Sequence, residues 1–211
     1  MEQLTLLYGT GNPAKLVSMR RTVESLGIKL LGLCDMELKP PSVNECGNSP
    51  LENARLKAMA YYEFYGIPVF SCDSGLYFDN VPDELQPGVN VRRVGGITLS
   101  DDEITAYYGG LAKKYGGLTA RYRNAVCLVL ADGKVIESTD DILSGNPFIL
   151  TDKPHPKKVE GYPLDRISLH IGTGKYYYDL SPEDYEMEEG WSGGWLDFFQ
   201  KSIKLIRRYK Q

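Results

Sequence analysis

The chain has 211 residues, 42% of them hydrophobic, and a formal charge of −4, which is enough apolar material for a genuine core without disulfide or metal staples. That charge excludes broad electrostatic attraction to nucleic-acid polymers or anionic membranes and makes a small anion in a local basic pocket the more suitable ligand. Four scattered cysteines, Cys34, Cys46, Cys72 and Cys127, accompanied by only two histidines, argue against zinc, and the absence of a signal-peptide pattern or a bilayer-length apolar run leads us to expect a reduced, cytoplasmic protein.

In chain order, Leu4 to Tyr8 reads as a buried strand that breaks into Gly9-Thr10-Gly11-Asn12. Asn12 is an N-cap with Pro13 in the first helical position, and the helix runs to about Leu26. Its apolar stripe is Leu16, Met19, Val23 and Leu26, and Gly27 supplies the left-handed stop. Ser49-Pro50-Leu51-Glu52 is a capping box that opens a second helix ending at Gly66. Val69 to Cys72 is a short strand, followed by a polar break at Asp73-Ser74-Gly75 and a second apolar piece, Leu76 to Phe78. Ser100-Asp101-Asp102-Glu103 is another capping box. Thr119 to Leu130 and the segment from Lys134 onward form an antiparallel hairpin joined at Asp132-Gly133. Tyr176-Tyr177-Tyr178 reads as a strand packing on both faces. The last helix, about Gly194 to Tyr209, puts Trp195, Phe198, Ser202, Ile203 and Ile206 on one side, with Arg207, Arg208 and Lys210 near its negative end.

Three loops carry chemistry. A strand, a glycine-rich turn and a helix start aim backbone N–H groups and the positive end of the helix dipole at one point, which suits phosphate. Lys15, in the first turn of that helix, could reach the same anion, an interaction of roughly 4 kcal/mol at ~4 Å and an effective dielectric near 20. The turn is not a P-loop, and the alternative is a tight connection with a surface lysine. Asn53 and Lys57 stand four apart on one helical face, close in sequence to Glu45-Cys46-Gly47, and form either a second anion contact or a solvated polar face. Asp73, at the end of a short buried strand, is either a carboxylate fixed at a sheet edge or an Asx-turn residue.

Taken together, these loops resemble the Ham1 family, the inosine triphosphate pyrophosphatases that remove deaminated purine nucleotides from the precursor pool. Thr10-Gly11-Asn12 with Lys15 is similar to the family's T-G-N-x-x-K. Glu45 and Gly47, then Glu52-Asn53-Ala54 and Lys57-Ala58, stand like E-x-G and E-N-A-x-x-K-A. Asp73-Ser74-Gly75-Leu76 resembles half of D-D-S-G-L, and Pro87-Gly88-Val89, Arg93 and Gly96 resemble P-G-V-x-S-A-R-x-x-G. The resemblance covers residues 4 to about 130 well. It implies a single α/β domain over residues 1–211 with the ITPase-like (Maf/Ham1) fold, a long twisted mixed sheet whose helices form two lobes around a central cleft, and a homodimer.

The resemblance also implies magnesium-dependent hydrolysis of a nucleoside triphosphate, ITP, XTP or a deoxy form, to monophosphate and pyrophosphate. On that basis Thr10, Gly11, Asn12, Lys15, Asn53, Lys57, Ser74, Gly75 and Arg93 contact substrate. Glu45 and Asp73 carry the metal, Lys57 and Asp73 are catalytic, and Asp73 orients or deprotonates the attacking water. Such chemistry needs charge neutralisation and positioning more than a covalent nucleophile.

Three departures stand out. The family's first aspartate in D-D-S-G-L is Cys72 here, a thiol that is mostly neutral at its reference pKa of ~8.5 and a poor partner for magnesium. This implies weaker magnesium binding and a variant, Cys72→Asp, with tighter magnesium dependence. Gly161-Tyr162-Pro163-Leu164-Asp165 resembles a degraded G-F-G-Y-D-P, keeping Tyr162 to stack on a base and Asp165, while Arg166 replaces the proline. The family's S-H-R motif before the last helix is absent, with "EEGWSGGW" in its place; Trp191 and Trp195 there offer stacking surface or pack the helix. Neither His155 nor His170 fits the S-H-R position, and each reads as a surface or satisfied imidazole. These departures keep open a nucleotide-binding relative with little turnover, or a hydrolase for a different nucleotide.

Overall fold

The structure is a computed structural model that describes residues 4–186 and 191–209, with the side chains of 4–184 and 193–204. Its architecture is mixed α/β, and it divides into two compact units. The first draws its residues from within Met1–Ser74, Arg123–Ser144 and Gly190–Gln211, the second from within Gly75–Tyr122 and Gly145–Glu189.

In the first unit, β1 (Thr5–Tyr8) is hydrogen-bonded in parallel to β2 (Lys29–Gly32) on one side and β3 (Val69–Phe78) on the other. The connection from β1 to β2 is α1 (Pro13–Glu24), with Leu16, Met19 and Val23 buried and Gly27 leaving it at φ +66°. β3 follows α2 (Pro50–Tyr65), which stops at Gly66 in the left-handed region. The Ser49 hydroxyl accepts from Glu52 N–H at 3.2 Å as a cap should. Glu52, however, reaches one residue further back than a capping box requires and accepts from Asn48 N–H at 2.7 Å, fastening the incoming loop to the helix.

Alternation along the strands explains why they read as unbroken apolar runs: both faces are covered. Leu6, Tyr8, Phe70, Cys72, Val126 and Leu128 pack with α1 and α5 (Trp191–Tyr209), whereas Leu7, Val69, Cys127 and Val129 pack with Ala54, Ala58 and Tyr61 of α2. α5 begins before the expected Gly194 and buries Trp195, Phe198, Ser202 and Ile203 as its spacing predicts. The side chains of Trp191, Ile206, Arg207 and Arg208, and Lys210 as a whole, lie outside the described residues.

β6 (Leu118–Val129) and β7 (Val135–Ser138) pair antiparallel as expected. Their connection is a three-residue loop rather than a two-residue turn: Leu130 N–H donates to Lys134 O, Gly133 N–H to Leu130 O, and Gly133 has φ +80°.

β3 and β6 continue into the second unit, where β8 (Phe148–Leu150) pairs antiparallel with the start of β6 and with β9 (Ser168–His170). Two short strands, β4 (Arg93–Val94) and β5 (Ile97–Thr98), form a separate ladder ahead of α3 (Asp101–Tyr115). Both halves of the capping box expected on α3 are present, and Ile104, Tyr108 and Ala112 carry it onto a core with Leu76, Phe78, Leu118 and Leu150. The short α4 (Pro182–Glu186) ends this unit's described residues.

Two further expectations are corrected. β3 runs through Asp73-Ser74-Gly75 without a break, because each polar group there finds a partner that keeps the backbone extended. The tyrosine run is not a strand. Tyr177–Asp179 is one 3-10 turn closed by Asp179 N–H to Tyr176 O. It sends Tyr176 OH to Lys153 O, the Tyr177 ring to Phe148 and His170, and Tyr178 to His155. Among the described residues no helix is long and apolar enough to cross a membrane.

Candidate active site

Four side chains of the first unit, those of Glu45, Asn53, Lys57 and Asp73, meet along the N-terminal half of α2. Lys57 Nζ lies 2.7 Å from Glu45 Oε2 and 3.0 Å from Asp73 Oδ1, and its side chain is only 12% exposed. One turn earlier, Asn53 Nδ2 donates to Asp73 Oδ2 at 3.0 Å while its Oδ1 accepts from Gly47 N–H at 2.8 Å. The i, i+4 spacing places Asn53 and Lys57 one above the other, and each bridges the 45–47 loop to β3. Burial alone would lower the Lys57 pKa, but the hydrogen bond to Glu45 and the charge of Asp73 outweigh it and hold it above the ordinary lysine value. Asp73 is thus a carboxylate anchored through both oxygens, and the Asx-turn alternative is set aside.

The turn after β1 is held against β3. Gly9 N–H donates to Phe70 O at 2.8 Å, and Ser71 Oγ donates to Gly9 O at 3.1 Å. A Cβ on Gly9 would fall 2.2 Å from Ser71 Oγ and 2.5 Å from the Tyr61 ring, so only glycine lets the turn sit so close. Asn12 Oδ1 caps α1 by accepting from Ala14 N–H at 2.9 Å and Lys15 N–H at 3.2 Å, and Asn12 N–H donates to Thr10 Oγ1. Gly11 is exposed at the positive end of α1. Lys15 is exposed and makes no ion pair among the described residues.

On the Cys72 thiol the charges of Lys15 and Lys57 act downward and that of Asp73 upward. Cys72 alternates to the face of β3 opposite Asp73, into the core beside Tyr8. Burial pushes the thiol up to about 12, against the Tyr8 hydrogen bond and the two lysines, and keeps it neutral. Cys127 is likewise pushed up to about 12 by burial, whereas Cys34 and Cys46 are exposed. Iodoacetamide at pH 8 is therefore expected to label Cys34 and Cys46 and to spare Cys72 and Cys127 in the folded protein. Peptide mass spectrometry reads this directly, and labelling of Cys72 at the Cys46 rate would contradict its burial.

Ser74 Oγ donates to Asn124 Oδ1 at 2.7 Å, and Asn124 Nδ2 donates to Leu143 O at 2.6 Å, so this hydroxyl braces β3. Sequence reasoning missed Asn124, Ser71 and Tyr61. No local motif marks them; the one available signal was a polar residue inside an otherwise apolar strand.

The remaining candidates belong to the second unit. A Cβ on Gly75 would lie 3.1 Å from the Gly88 backbone, which explains the glycine. Arg93 is exposed on β4, while its neighbour Arg92 is engaged by Asp101 at 2.8 Å. Tyr162 is 52% exposed, and burial raises the Asp165 pKa above the usual carboxylate range. Both histidines have partners: Lys157 N–H donates to His155 Nδ1, leaving Nε2 toward Asp179, and His170 Nδ1 meets Thr173 Oγ1. Among the described residues no group of three or more His, Cys, Asp or Glu is placed to hold a metal. Glu45 and Asp73 are two hard oxygen donors converging on one cationic group, a set that fits magnesium when phosphates and waters supply the other ligands; the neutral Cys72 thiol does not fit it.

Comparison with known proteins gives a consistent picture. A Ham1 family profile matches residues 6–183. A dITP/XTP pyrophosphatase of Thermus thermophilus is 36% identical over 183 residues, covering 86% of this chain and 83% of that protein. The Synechocystis dITP/XTP pyrophosphatase is 32% identical over 163 residues, covering 75% of each. Among solved structures, the nucleoside-triphosphatase / dITP/XTP pyrophosphatase of Mycobacterium abscessus matches with TM-score 0.61 and 26% identity, over 87% of this chain and 93% of that one. A HAM1 protein from Coxiella burnetii shares the fold at TM-score 0.69 and 21% identity, over 97% and 99%.

Proposed function

We propose, from the premise that this chain belongs to the Ham1 family, that the cluster around Asp73 is the active site of a nucleoside triphosphate pyrophosphatase. The protein hydrolyses nucleoside triphosphates, and its substrates are the ones its relatives are named for, dITP and XTP. The observation that carries the reading is the Lys57 ammonium held at once by Glu45 and by Asp73 in the middle of β3. A lysine so placed can neutralise polyphosphate charge next to a carboxylate that orients water.

In this mechanism the Gly11 backbone N–H, exposed at the positive end of α1, takes up a phosphate oxygen with the helix dipole behind it and Lys15 at the rim. Asp73, fixed by Lys57 and Asn53, orients the water and accepts its proton as the water oxygen bonds to the α phosphorus and the bond from that phosphorus to the oxygen bridging the α and β phosphates breaks, so that pyrophosphate leaves with the bonding electrons. Lys57 offsets the charge on the phosphates. Magnesium, bound by Glu45 and Asp73 with phosphate oxygens, would supply further charge neutralisation. The family resemblance assigns Arg93, Tyr162 and Asp165 to substrate recognition, with Tyr162 for the base, and a homodimer to the assembly.

Pyrophosphate release screened across dITP, XTP, ITP and the common triphosphates, with magnesium and with manganese, tests the reading. Turnover of dITP and XTP well above ATP and GTP is expected; tight nucleotide binding with no product under either cation would make this a binding relative instead. The tighter magnesium dependence expected of Cys72→Asp is corrected by the structure: position 72 faces the core beside Tyr8, on the face of β3 opposite Asp73, so the variant is expected to bury a carboxylate there and lower stability while leaving the magnesium titration unchanged. A several-fold lower magnesium requirement in Cys72→Asp would put position 72 within reach of the cation.

A further inference from the structure

We infer that Asn53 is a positioning residue that locks Asp73 and the Glu45 loop to the same helix, and that it acts without touching the substrate. The inference rests on Asp73 being the water-orienting carboxylate. Asn53 is 4% exposed, a depth at which a carboxamide must satisfy both its ends. Its orientation is unambiguous, because the Gly47 N–H can only donate and the Asp73 carboxylate accepts. The oxygen therefore faces the loop and the nitrogen faces β3.

The loop's backbone rests directly on this residue. A Cβ on Gly47 would lie 2.8 Å from Asn53 Oδ1 and 2.6 Å from Glu52 Cβ, so glycine is what permits the approach. Lys57 alone could hold Asp73 by one oxygen, about which the carboxylate could still turn. The second bond, from Asn53 Nδ2 to Oδ2, removes that freedom. Because Asn53 is buried beneath Asp73 with both ends engaged, its loss is felt in the chemical step and not in substrate binding.

Two substitutions separate its two arms. Asn53→Ala removes both. Asn53→Asp keeps an oxygen for Gly47 N–H and replaces the donor toward Asp73 with a second carboxylate. In pyrophosphate release from dITP, both variants are expected to lose roughly 10- to 100-fold in kcat with KM within about twofold of wild type. Amide hydrogen exchange at Gly47 should be at least about tenfold faster in Asn53→Ala and near wild type in Asn53→Asp. Wild-type kcat in Asn53→Asp, or a raised KM with unchanged kcat in Asn53→Ala, would overturn the inference in favour of loop docking or substrate contact. Gly47 exchange unaltered by Asn53→Ala would overturn it whatever the activity, whereas a wild-type protein that turns over no nucleotide would instead unseat the pyrophosphatase reading.

Discussion

Lys57→Ala is expected to lower kcat for pyrophosphate release by about 10²–10³-fold or more, the scale of removing one preorganised group that meets developing charge. The ammonium is largely sheltered, and its removal leaves Glu45 and Asp73, which it now holds at 2.7 and 3.0 Å, facing each other without a counter-charge. A stability loss of about 1–2 kcal/mol should accompany the kinetic effect; it stays below the cost of breaking a fully buried pair because Glu45 is 45% exposed and its charge is screened. The Lys57 pKa is held above the ordinary 10.5. Its ion pair is therefore fully present below that value and is lost only as pH rises past it, so Lys57 causes no loss of activity between about pH 6 and 9. Steady-state rates together with thermal unfolding of wild type, Lys57→Ala and Asp73→Asn check this. A Lys57→Ala enzyme at the wild-type rate would mean that the cluster is a structural ion pair and that catalysis occurs elsewhere.

Gly194→Ala is expected to destabilise the protein by about 2 kcal/mol, and Gly193→Ala to stabilise it by about 0.5–1 kcal/mol. Both glycines lie in α5, where alanine is the better helix former by up to ~1 kcal/mol. At Gly193 nothing lies within 4 Å of an added Cβ, so only that gain operates. At Gly194 the Cβ would fall 2.0 Å from the Ile142 carbonyl oxygen and 2.6 Å from its carbon, both backbone atoms of the one-turn helix Asp141–Leu143. Relief requires α5 to move away, and with it Trp195, Phe198 and Phe199, which are buried against β1, β3 and β6. Urea unfolding of the two single variants measures the contrast. Gly194→Ala as stable as wild type would show that α5 does not dock against Ile142.

What the sequence alone determined was local. Asn12-Pro13, Ser49-Pro50 and Ser100 with Glu103 start helices because side-chain oxygens satisfy N–H groups a few residues on, and Gly27, Gly66 and Gly116 end them by adopting positive φ. The family motifs, too, were legible as short strings, and they marked out Lys57 and Asp73 without any knowledge of what surrounds them. Tertiary structure decided everything that depends on partners distant in the chain. Asp73-Ser74-Gly75 has the composition of a turn, yet Asn53, Lys57 and Asn124 satisfy its polar groups and keep β3 extended, which no local propensity encodes. Glu45 became a partner of Lys57, Cys72 turned into the core while Asp73 turned out of it, and Asn53 came to hydrogen-bond Gly47 and Asp73 at once. Each of these follows from alternation on a strand covered on both faces and from the i, i+4 geometry of one helix laid across it. Those relations exist only once the chain has folded, because hydrogen bonds and ion pairs are set by distance in space, not by separation in sequence.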